Sequence, residues 1–78
     1  MMNSAFVIEQ SKHFAKRIER DAGQDASKQV DRAFELALSR TPSASEKRAA
    51  LQYLKDTPNG LAAFCQAMFN LNEFVYRQ

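Results

Sequence analysis

At 78 residues the chain has room for one small domain, and chains near this size bury only roughly 60% of the surface that their unfolded form exposes. A single cysteine excludes an internal disulfide and with it a stapled secreted scaffold, while two glycines and two prolines leave no disordered bias. A net charge of +2 is too small to argue for a nucleic-acid partner, so none is expected.

The first element follows Asn3 or Ser4, either of which can cap the free N–H groups of an opening helical turn. Val7, Phe14 and Ile18 share a face with Ala15 and Ala22, and Gly23 supplies the left-handed residue that commonly ends a helix. This start is not a signal peptide. It lacks a basic leading region, and Glu9, Gln10 and Lys12 break its apolar run.

A second helix begins after Asp25 or Ser27. Val30, Ala33, Phe34, Ala37 and Leu38 fall at i, i+3, i+4, i+7 and i+8, the cleanest amphipathic pattern in the chain. Thr41-Pro42 stops it, because the residue before proline is biased away from the helical region. Ser43 and Glu46 then have the spacing of a capping box. The third helix runs on to about Asp56 with Ala50, Leu51 and Leu54 inward.

Thr57-Pro58-Asn59-Gly60 is a turn, and the fourth helix starts at Pro58 or shortly after it. Leu61, Phe64, Cys65, Met68 and Phe69 recur at helical spacing, and Ala62, Ala67, Leu71 and Val75 widen the stripe. So wide an apolar arc needs several partners at once. The sequence therefore predicts an all-α fold, a small four-helix bundle with short connections and helix 4 most central. Continuing the same periodicity puts Asn72 near the centre of the apolar face. Either the helix ends near Leu71, or the amide ties a neighbouring loop. No stretch approaches the ~20 apolar residues that a membrane span requires.

Residues with reactive chemistry are few. His13 sits on the polar side of helix 1 with Glu9 and Arg17 four residues away, the pattern of a surface ion pair. Cys65, flanked by Phe64 and Phe69, reads as a small buried hydrophobe. Lys12, Lys16, Arg17 and Arg20 spread over the outside of helix 1, but Glu9 and Glu19 interrupt them, so a solvated face is expected rather than a phosphate track. No nucleophile–base pair, paired-carboxylate site, metal ligand set or cofactor motif is evident, and no enzyme activity or cofactor is expected.

Three blocks carry a resemblance. They are Met2-Asn-Ser-Ala-Phe-Val-Ile-Glu-Gln10, then Asp31-Arg-Ala-Phe-Glu-Leu-Ala-Leu-Ser-Arg-Thr-Pro42 followed by Glu46, then Leu71-Asn-Glu-Phe-Val-Tyr76. In that order and spacing they resemble the C-terminal end of a planctomycete-specific domain of unknown function. Such domains close long exported proteins that carry cytochrome-c-like modules upstream. Ser39 departs from the pattern, standing where the family usually has glycine before the arginine. The resemblance implies an accessory or interaction module, located in the cell envelope when part of an exported parent. Residues 1–78 then form one helical domain, the C-terminal piece of a larger one.

The expected role is a non-catalytic structural or protein-interaction module; the alternative is a small regulatory nucleic-acid binder. Arg40, Ser43, Glu46, Asn72 and Glu73 would fix helix ends and corners. Phe6, Ile8, Leu36 and Phe74 lie off the main seams and would form a surface for another protein or the upstream part of the parent chain. The isolated chain is expected to be a monomer or to associate weakly with itself.

Overall fold

In the computed structural model, residues 4–76 are described for the backbone and 5–70 for the side chains. Among them the chain forms four helices and no strand: α1 (Ser4–Ala22), α2 (Ala26–Leu38), α3 (Ala44–Asp56) and α4 (Gly60–Tyr76). Of the two candidate caps of α1, Ser4 is its first helical residue and Asn3 lies outside the described residues.

Each connection is built by local chemistry. Gly23 closes α1 in the left-handed region at φ 67°, and its N–H donates to the Glu19 carbonyl at 2.7 Å. Asp25, rather than Ser27, caps α2, its carboxylate accepting from the Lys28 N–H at 3.3 Å. The buried Gln29 side chain donates to the Gly23 carbonyl at 2.7 Å and pins the turn from inside. Ser39 ends α2 in the left-handed region at φ 57°, donating its N–H to the Glu35 carbonyl at 3.0 Å. The turn that glycine would favour is therefore made by serine.

At the last connection Asn59 takes the left-handed conformation at φ 53°, and its carbonyl accepts from the Ala63 N–H at 3.1 Å. The helix thus opens at Gly60, two residues later than Pro58. Glycine is needed there for room. A Cβ on Gly60 would lie 2.8 Å from the Leu54 carbonyl oxygen.

The core lies where the four helices converge. Ile18 of α1, Val30, Ala33 and Phe34 of α2, Ala50 of α3, and Phe64, Cys65 and Met68 of α4 form one buried cluster. Phe14, Leu38, Leu51, Leu54 and Leu61 pack around it. Helices α2 and α4 each touch the other three, and the longest contact runs between α1 and α4. Phe14 and Phe69 meet edge to face across that seam, ring centroids 5.5 Å apart. Ala67 does not widen the apolar stripe into the core. It is exposed.

Candidate functional site

Two structural features lie side by side on one flank of the bundle, a polar corner and an apolar groove. The corner forms where α2 hands over to α3. Ser43 and Glu46 make the reciprocal capping box: the Glu46 N–H donates to Ser43 Oγ at 3.2 Å, and the Ser43 N–H donates to Glu46 Oε1 at 2.8 Å. Arg40, just past the end of α2, donates to both carboxylate oxygens of Glu46 at 2.8 and 2.9 Å. This fork-to-fork geometry is the strongest form of such a pair. The same guanidinium lies over the Phe34 ring, 5.4 Å from its centroid. Arg40 and the Ser43 N–H together hold the Glu46 carboxyl down at about 2, and Glu46 in turn raises the Arg40 pKa.

The groove runs between α3 and α4 with Glu46 among its lining residues. Phe34, Phe64 and Met68 form its floor, and Ala49, Tyr53 and Ala67 its walls. Tyr53 is 40% exposed and its ring sits 6.3 Å from that of Phe64. Sequence reasoning named neither Ala49 nor Tyr53 and assigned Ala67 to the core. A signal existed: Glu46, Ala49, Ala50 and Tyr53 fall at i, i+3, i+4 and i+7, a single helix face.

Of the four residues expected to form an interaction surface, three are described. Phe6 and Ile8 are exposed, at 49% and 39%, but two positions along a helix point away from each other. Leu36 is half-buried and packs against the core, lining a cleft with Phe14 of α1 and Phe69 of α4. Phe74 lies outside the described side chains, as do Asn72 and Glu73. The α4 backbone continues to Tyr76, so the helix does not end near Leu71.

His13 and Cys65 do not line the groove. His13 is solvent-exposed, with Nε2 4.0 Å from Glu9 Oε1. Cys65 is fully buried, and burial first, with the charge of Glu19 second, pushes its thiol up to about 12. On α1, Arg17 and Arg20 both lean toward Asp21, at 3.8 and 3.6 Å. Asp21 is held below its ordinary value chiefly by the hydrogen bond from Arg32, 3.0 Å away on α2, and Arg32 also pairs with Glu35. Lys47 of α3 reaches Asp31 of α2 at 2.7 Å. Arg32–Asp21 and Lys47–Asp31 line an open cleft between α1, α2 and the start of α3, and they tie neighbouring helices together. Among the described residues no group of three His, Cys, Asp or Glu side chains converges as a metal would need. No helix of the described residues is long and apolar enough to cross a membrane.

No curated protein and no solved structure matches the chain. A family described as PSD1, protein of unknown function (DUF1553), matches residues 1–54. That match takes in α1, α2 and nearly all of α3, including Arg40, Ser43, Glu46 and Tyr53. The chain belongs to the DUF1553 family.

Proposed function

We propose that the chain is a non-catalytic helical module that docks onto another protein through the groove between α3 and α4, the occupant being the upstream part of its own parent chain. The supporting observation is the groove itself. Its floor of Phe34, Phe64 and Met68 is buried, at 5–8% exposure, while its apolar walls, Ala49, Tyr53 and Ala67, face solvent. The corner beside it has a supporting role. Arg40 spans the α2–α3 junction, fixing where α3 starts and stacking on the Phe34 ring that forms part of the groove floor.

In this reading α4 is the central helix, because Phe64, Cys65 and Met68 supply its buried face and two of those three also floor the groove. Residues 1–78 act as the closing piece of a larger domain, and Phe6 and Ile8 are further contact points rather than a second patch. The parent, on the resemblance described above, is an exported planctomycete protein with cytochrome-c-like modules upstream, which puts the assembly in the cell envelope. A non-catalytic role is supported by Cys65 being walled into the core and by His13 having only an exposed carboxylate beside it. A nucleic-acid role finds less support, since Arg17 and Arg20 are drawn toward Asp21 and Glu9 interrupts the remaining cations.

The test is binding in trans. The upstream part of the parent chain, expressed separately, is titrated with the wild type and with Ala67→Glu, which puts a charge at the groove wall without entering the core. Binding by the wild type and at least a tenfold loss in the variant are expected. Equal binding by a folded variant would move the interface elsewhere, and no binding by the wild type would overturn the docking role.

A further inference from the structure

We draw no further inference here: the strongest candidate, the apolar groove between α3 and α4, belongs to the site already described, and nothing else in the structure shows what covers it.

Discussion

Glu46 joins three interactions in one carboxylate. It accepts both prongs of Arg40, accepts the Ser43 N–H, and completes the cap from which α3 starts. Its pKa falls from 4.5 to about 2, first because of Arg40 and then because of the Ser43 backbone. A group whose folded pKa is depressed stabilises the fold in full above its unfolded value, and that contribution is lost as pH falls through the folded one. The corner is therefore complete above pH 4.5 and dissolves on the way down to about 2. Urea denaturation of the wild type and Glu46→Gln at a series of pH values checks this. The wild type is expected to be the more stable near neutrality, with the gap narrowing through that acid window. A gap that stays constant across it would show that the carboxylate charge is not what matters.

At the scale of the elements, several helix ends with a polar signature were readable in advance. Gly23, Asp25, Ser43 with Glu46, and the Thr57–Gly60 turn all fall where the structure puts them. Each works through neighbours within a few residues, so the sequence carries the whole interaction. Ser39 is different. Its left-handed backbone costs an L residue roughly 1–2 kcal/mol, and the stop imposed by Thr41-Pro42 together with the Arg40–Glu46 clasp holds it there. Ser39→Gly removes that strain but adds unfolded-state freedom worth roughly 0.5–1 kcal/mol. A net gain of about 0.5–1 kcal/mol is expected in chemical denaturation. A destabilised glycine variant would mean that the serine side chain makes a contact essential to the turn.

What the sequence hid is tertiary. Gln29 and Ser11 are polar residues on amphipathic helices and would ordinarily be assigned to the surface. They are buried because the Gly23 and Ile8 carbonyls accept their hydrogen bonds. Periodicity likewise could not tell Ala67, on the rim of an open groove, from Ala33, wholly buried, since both sit at apolar positions of a helix. Which alanines are covered depends on how far apart α3 and α4 lie, and no local pattern states that distance. Leu36, off the main seam of α2 by periodicity, packs half-buried against the core and lines a cleft with Phe14 of α1 and Phe69 of α4.

For the molecule as a whole, the family match ends at residue 54 and α4 lies beyond it, yet α4 furnishes Phe64, Cys65 and Met68 to a core shared by all four helices. Phe64 contacts the Phe34 and Tyr53 rings, with centroids 6.4 and 6.3 Å away, and so links α4 to both α2 and α3. Phe64→Ala should cost about 3–5 kcal/mol, a large part of the stability of a domain this size. Thermal melting measures it, and a near wild-type melting temperature would show that α4 is not the helix on which the core depends.

If the groove between α3 and α4 is a docking surface, its exposed walls, Ala49, Tyr53 and Ala67, lack their partner in the isolated chain. Sedimentation velocity over a wide concentration range, on the wild type and on Ala67→Glu, tests it most directly. Weak self-association of the wild type is expected, seen as a sedimentation coefficient that rises with concentration. Ala67→Glu should abolish that rise while its unfolding free energy changes by no more than about 0.5 kcal/mol, the range usual for a surface substitution. A wild type that remains strictly monomeric throughout and cannot be told from the variant would contradict it.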